Sequence, residues 1–154
     1  MDIVVIGGHG KVGLQLLKLL AGRGDTARGV IRDPAQAPDL EAVGATPIVL
    51  DIENREIGDA VAGADAVVFA AGAGAGSGPA RKRTVDYAGA VALIEAARAH
   101  GISRYLMVSA MGVNHPERWS EQMRPYYEAK ADADAGLEQS GPRLHDRPPG
   151  PPHR

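Results

Sequence analysis

The sequence predicts an α/β protein with a doubly wound parallel sheet in the strand order 3-2-1-4-5. Three observations carry that expectation. Short apolar runs alternate with helical patterns along the chain. The runs are continuous in Val, Ile and Leu, as strands buried on both faces of a parallel sheet must be. Aromatic residues are only 4%, while glycine occupies 20 positions, which suits close helix–sheet packing.

The elements follow in order. Residues 2–6 (DIVVI) read as strand 1. A helix follows from Lys11 to Ala21, with Val12, Leu16, Leu17 and Leu20 at helical spacing. Residues 26–31 (TARGVI) read as strand 2, and Pro34 opens a helix to about Val43. Strand 3 covers 46–50 (TPIVL), and a short helix lies near 54–62. Strand 4 covers 65–70 (DAVVFA), a Gly/Ala-rich loop 71–79, and a long helix about 84–100. Strand 5 covers 104–109 (RYLMVS). After a loop with Asn114, Pro116 and Trp119, Pro125 opens a last helix to about Gln139. Alternation of strand and helix implies right-handed crossovers, with the ligand crevice between strands 1 and 4.

Composition bounds the partners. The chain has 154 residues, a one-domain length, with 17 Lys and Arg against 19 Asp and Glu. A net charge of −2 excludes nucleic-acid binding driven mainly by charge. No cysteine is present, so disulfides, thiolate metal sites and cysteine nucleophiles are excluded. The five histidines have no metal-ligand spacing, and no metal is expected. No apolar run reaches the roughly 18 residues of a membrane span. Met1-Asp2 leads straight into the first strand without a basic leader, so the expectation is a cytoplasmic protein with no membrane partner.

Gly7-Gly8-His9-Gly10-Lys11-Val12-Gly13 follows strand 1 and opens the first helix. Its G-x-x-G-x-x-G pattern suits a dinucleotide. Gly7 permits a tight turn, Gly10 lets the backbone approach a pyrophosphate, and Gly13 lets the helix pack closely on the strand. The helix N-terminus then faces the phosphates with free N–H groups. Gly7, Gly10, Lys11, Val12 and Gly13 are therefore expected to bind the cofactor. A plain strand–turn–helix connection is the structural alternative. A P-loop is excluded, because no G-K-[S/T] follows.

On GGHGKVG the chain resembles the short-chain dehydrogenase/reductase superfamily. It is similar, more narrowly, to the atypical single-domain NAD(P)H-binding reductases of the flavin/biliverdin reductase type. IRDP after strand 2, LDIEN after strand 3, VDYAGAVALIEAARAHGISRYLMVSAMG and YYEAKADADAGLEQSG extend the likeness over about residues 1–140. The resemblance implies a Rossmann fold and a nicotinamide cofactor. It also implies that Asp51 and Ile52 flank the adenine, and that Ala71 and Gly72 lie along the cofactor ribose.

NAD enzymes usually place Asp or Glu at the end of strand 2 to hold the ribose 2′-hydroxyl. Arg32 stands there, with Asp33 next. Its fork of donors suits a 2′-phosphate, so NADP(H) is favoured over NAD(H), with Lys11 assisting. A solvated strand-end arginine is the alternative. Arg81-Lys82-Arg83 reads as a solvated surface run.

Tyr126 and Lys130 form Y-x-x-x-K, one turn apart on a helix. An ammonium near a phenol favours the phenolate, which makes a tyrosine usable as an acid or base. Ser109 ends strand 5. The three resemble the Ser-Tyr-Lys set of the superfamily, which implies Tyr126 as proton donor, Ser109 as orienter and Lys130 as ribose clamp. Y-x-x-x-K also occurs by chance on helices, Tyr127 is a competing phenol, and many atypical members use no catalytic tyrosine. Met111, Gly112 and Val113 would border the nicotinamide pocket. Met123 and Trp119 are lid or core.

Residues 141–154 change character, with five prolines in 14 positions, and read as a disordered tail. The resemblance implies a following segment like S-G-L-D-Y-T-I-V-R-P-G. A permitted coding sequence for residues 142–150, read one base out of frame, gives L-D-Y-T-I-V-R-P. The expectation is therefore a Rossmann domain over 1–140 whose last strands are missing, followed by a frameshifted tail; a natural Pro-rich tail is the alternative. The expected function is an NAD(P)H-dependent oxidoreductase reducing a small carbonyl, quinone or flavin-like acceptor, inactive if the domain is truncated. The alternatives are a redox-sensing regulator and a sugar-nucleotide epimerase or dehydratase fragment. The expected assembly is a monomer, or a dimer through the open edge of strand 5.

Overall fold

The structure is a computed structural model that describes residues 1–51, 57–71, 88–108, 115–121 and 124–138. Its elements are β1 (Asp2–Ile6), α1 (Lys11–Gly22), β2 (Thr26–Ile31), α2 (Ala37–Ala42), β3 (Thr46–Val49), α3 (Gly58–Val61), β4 (Ala66–Phe69), α4 (Gly89–Ala99), β5 (Arg104–Met107) and α5 (Arg124–Glu138). Short 3-10 turns at Pro34–Gln36 and Pro116–Arg118 precede α2 and α5. The expected helix from Pro34 is thus split: Asp33 caps the 3-10 turn through its side chain, and α2 begins three residues later. The start of the helix near 54, that of the helix near 84, and the tail 141–154 lie outside the described residues.

The sheet is five-stranded, parallel throughout, in the order β3-β2-β1-β4-β5. That is the predicted topology. Its central strands are buried on both faces: Val4, Val5, Ile6, Val67 and Phe69 have no more than trace exposure. The two-residue period of the strands divides the core. Val4, Ile6, Val67 and Phe69 pack with Ile57, Val61, Leu93 and Ala133. Ile3, Val5, Ala66 and Val68 pack on the opposite face with Leu17, Leu20 and Leu40. Each large side chain so buried contributes about 1.5–3 kcal/mol. The outer strands are wetter, with Val49 and Leu106 more than half exposed.

Arg28 crosses the opposite end of the sheet from the strand C-termini. Its Nε donates to Asp2 Oδ1 at 2.8 Å, and its two terminal nitrogens donate to the carbonyls of Ala60 and Ala62 at 3.1 and 3.2 Å. One half-buried guanidinium thereby ties β1, β2 and the end of α3 together. No helix among the described residues is long and apolar enough to cross a membrane.

Candidate functional site

The C-terminal ends of the parallel strands place Gly7, Arg32, Asp51 and Ala71 at one end of the sheet. The chain leaves β1 at Ile6 and turns at Gly7 with φ +82°, a left-handed conformation that favours glycine. The Gly7 and Gly8 N–H groups both donate to the Val30 carbonyl, at 3.2 and 3.0 Å. Gly10 N–H donates to the Gly7 carbonyl at 3.1 Å, and the Gly10 carbonyl accepts from Leu14 N–H at 2.9 Å as α1 begins.

Two of the three motif glycines are demanded by the protein's own backbone. A Cβ on Gly7 would stand 2.7 Å from the N and Cα of Ala71, where the chain leaves the neighbouring strand β4. A Cβ on Gly13 would overlap the Gly7 carbonyl oxygen. Gly10 differs. Its φ of −65° and ψ of 164° suit any residue. A Cβ there would meet only the Gly7 and Ala70 carbonyl oxygens, at 3.4 and 4.0 Å. Gly10 is exposed, so its missing side chain leaves room outside the loop, in front of α1.

Among the described residues no side chain caps the N-terminus of α1, and its first turn holds no acidic residue. Its first N–H groups and their partial positive charge face that room. Lys11 is exposed there. Val12, in the first turn of α1, is 53% exposed, while Gly13, Leu17 and Leu20 are buried.

Arg32 and Asp33 are exposed just beyond β2. Asp33 Oδ1 accepts from Ala35 N–H at 2.9 Å, so this carboxylate is engaged in capping. No ion pair engages Arg32 among the described residues. Asp51 and Ala71 are half-buried beyond β3 and β4. Ile52, Gly72 and Ser109, with Arg81-Lys82-Arg83, Met111, Gly112, Val113, Asn114 and Met123, lie outside the described residues.

Tyr126 and Lys130 lie four residues apart along the helical backbone of α5, and their side chains lie outside the description. The neighbouring Tyr127 ring is stacked on Trp119, with centroids 5.4 Å apart and planes 12° from parallel. The Arg124 guanidinium lies 5.6 Å from the Trp119 ring centre. Trp119 therefore packs on the first turns of α5 and holds the 115–121 segment to that helix. Tyr105 is another phenol, but burial pushes its ionisation well above the ordinary tyrosine value. Its hydroxyl donates to the Ala90 carbonyl at 3.1 Å, tying β5 to α4.

Sequence reasoning missed two features of the loop's surroundings. Gly29, inside β2, is where Gly8 and Leu40 come in: a Cβ there would meet Leu40 Cδ2 at 2.6 Å and Leu17 Cδ1 at 2.7 Å. A glycine in a strand interior is the signal for such an approach. His9 in the loop reaches Asp39 on α2, with Nε2 2.7 Å from Oδ2. Nothing in the spacing of a pair thirty residues apart signals it.

A parallel sheet in this order, with a glycine loop and an open helix N-terminus at its switch point, defines a dinucleotide-binding domain. The NAD(P)H-binding family model matches residues 7–143, and the chain belongs to that family. It is 40% identical over 144 residues to YhfK of Bacillus subtilis (strain 168), named as an uncharacterized sugar epimerase, covering 92% of this chain and 67% of that protein. A ketoreductase from Stigmatella aurantiaca, named for 4-hydroxy-2-methyl-3-oxo-4-farnesyl-3,4-dihydroquinoline-1-oxide, is 33% identical over 115 residues, covering 73% of this chain and 34% of that protein. Among solved structures, a putative NAD-dependent epimerase/dehydratase from Bacillus halodurans superposes with a TM-score of 0.87 at 36% identity, covering 94% of this chain and 66% of that one. The chain spans one-third to two-thirds of the length of these relatives.

Proposed function

We propose that the chain is an NADPH-dependent oxidoreductase of the atypical short-chain type, passing hydride to a small carbonyl, quinone or flavin-like acceptor. The observation that carries the reading is Gly10. The fold itself leaves space for a side chain at this position, yet the residue is glycine, and the space opens on an uncapped helix N-terminus. Free N–H groups and the partial positive charge of the helix N-terminus support placing the pyrophosphate there.

In this reading the loop at Gly7, Gly10 and Gly13, with Lys11 and Val12, holds the pyrophosphate. Arg32, whose neighbouring carboxylate is engaged in a cap, takes the 2′-phosphate. Asp51 and Ile52 flank the adenine, and Ala71 and Gly72 follow the ribose. Bound cofactor supplies hydride from its dihydronicotinamide. Lys130 clamps the nicotinamide ribose, Ser109 orients the acceptor oxygen, and Tyr126 gives that oxygen a proton as hydride reaches carbon. The enzyme would work in the cytoplasm on a small molecule.

A second reading, a sugar-nucleotide epimerase or dehydratase, is favoured by the names of the two Bacillus relatives. One assay separates the two. Loss of dihydronicotinamide absorbance that depends on an added carbonyl, quinone or flavin supports the oxidoreductase. Conversion of a UDP-sugar without net cofactor turnover supports the epimerase and overturns the first reading. Tight cofactor binding with neither activity leaves a redox-sensing role.

A further inference from the structure

We propose that His9 and Asp39 form a clasp that positions the adenosine end of the cofactor site, so that Arg32 can select for the 2′-phosphate. The inference rests on the dinucleotide reading of the glycine loop. His9 stands between Gly8 and Gly10, and Asp39 lies in the first turn of α2. Their side chains meet at 2.7 Å. Along the chain between them run α1, β2 and the short segment that carries Arg32.

The loop is already tied to β2 through the Val30 carbonyl, and α2 is seated by the fully buried Leu40 beside Gly29. Val30 and Leu40 are both buried. The clasp is instead an exposed side-chain tie, joining the segment that would meet the pyrophosphate to the helix that follows Arg32. The His9 side chain is 33% exposed and that of Asp39 63%. A pair so exposed adds little to the stability of a fold. Its placement suits it instead to holding Arg32 at a fixed reach from Gly10. The pyrophosphate and the 2′-phosphate of one nucleotide must be met at once, so that reach matters for NADPH and much less for NADH.

The test is titration of the full chain with NADPH and with NADH, by nucleotide fluorescence, alongside thermal unfolding. His9→Ala and Asp39→Ala should each weaken NADPH about three- to five-fold while NADH changes less than about two-fold, the scale of one exposed pair. Melting should be unmoved. His9→Gln, which keeps a donor toward Asp39, should restore much of the preference. In an Arg32→Ala background the effect of His9→Ala on NADPH should vanish, because the two then act through one step. Equal losses for both nucleotides, or a loss with His9→Ala and none with Asp39→Ala, would overturn the clasp alone. An unmutated chain that binds neither nucleotide would overturn the site and the clasp together.

Discussion

Gly13 lies so close to Gly7 that a Cβ on residue 13 would overlap the Gly7 carbonyl oxygen and come within 3.3 Å of the Gly8 Cα. The first turn of α1 therefore rests directly on the loop that precedes it. Gly13→Ala must push the helix off that loop. Overpacking of this kind costs about 1–3 kcal/mol. Each kcal/mol lowers the melting temperature by roughly 3 °C at this chain length. Thermal unfolding should show the drop, and an unchanged melting temperature would mean that the helix can shift at no cost.

Arg32 is the expected selector between the two nicotinamide cofactors. Arg32→Asp should weaken NADPH about ten-fold or more, the scale of a lost charge-assisted hydrogen bond, and should strengthen NADH by supplying a ribose acceptor. Fluorescence titration checks both directions. Equal affinities for the two nucleotides in the unmutated chain would remove Arg32 from that role.

Tyr126 and Tyr127 adjoin on α5 and should behave differently. Tyr126→Phe removes the proposed proton donor and should slow carbonyl reduction by about a hundred-fold, within the usual range for a lost general acid. Tyr127→Phe keeps the ring that stacks on Trp119 and should leave the rate within about two-fold. Steady-state rates with one active carbonyl substrate decide the matter, and the reverse pattern would move the chemistry to Tyr127.

Tyr105 gives the fold an alkaline limit. Its phenol is neutral and buried in the folded chain, where burial raises its ionisation. In the unfolded chain it ionises near pH 10. Folding stability from this group is fully present below about pH 10 and is lost as the pH rises above it, because only the unfolded chain then releases the proton. Tyr105→Phe should cost about 1 kcal/mol near neutral pH through the lost bond to Ala90, and should flatten the alkaline fall. Denaturant unfolding at a series of pH values measures both, and an equally steep fall in the variant would assign the alkaline limit elsewhere.

The strand order was legible because short apolar runs such as β1 and β4 alternate with helical patterns, and the glycine loop after β1 leads into α1. The loop's three glycines were legible from the motif, including the tight turn at Gly7 and the close helix packing at Gly13. Spacing cannot show that Gly13 packs on the Gly7 carbonyl of the loop itself; that takes the folded backbone. Val12 falls at helical spacing with Leu16, Leu17 and Leu20, yet it is more than half exposed in the first turn of α1. The Arg28 ties to Asp2, Ala60 and Ala62 and the His9–Asp39 contact escaped notice for a common reason. Each joins segments that only the folded sheet brings together. Arg32 was legible from its place after strand 2, whereas the engagement of Asp33 in a cap depends on the 3-10 turn that follows.

The central claim is that the room in front of Gly10 receives a dinucleotide pyrophosphate. The most direct measurement titrates NADPH into the unmutated chain, Gly10→Ala and the bulkier Gly10→Val, with melting followed in parallel. The unmutated chain should saturate. Gly10→Ala should melt within about 4 °C of it, since a glycine cap replaced by alanine costs no more than about 1 kcal/mol. Its NADPH affinity should nevertheless fall at least ten-fold, roughly the loss expected when a Cβ bars close backbone approach to the phosphates, and Gly10→Val should show no saturation. Undiminished NADPH affinity in both folded variants would contradict the claim and leave the glycine loop as a turn alone.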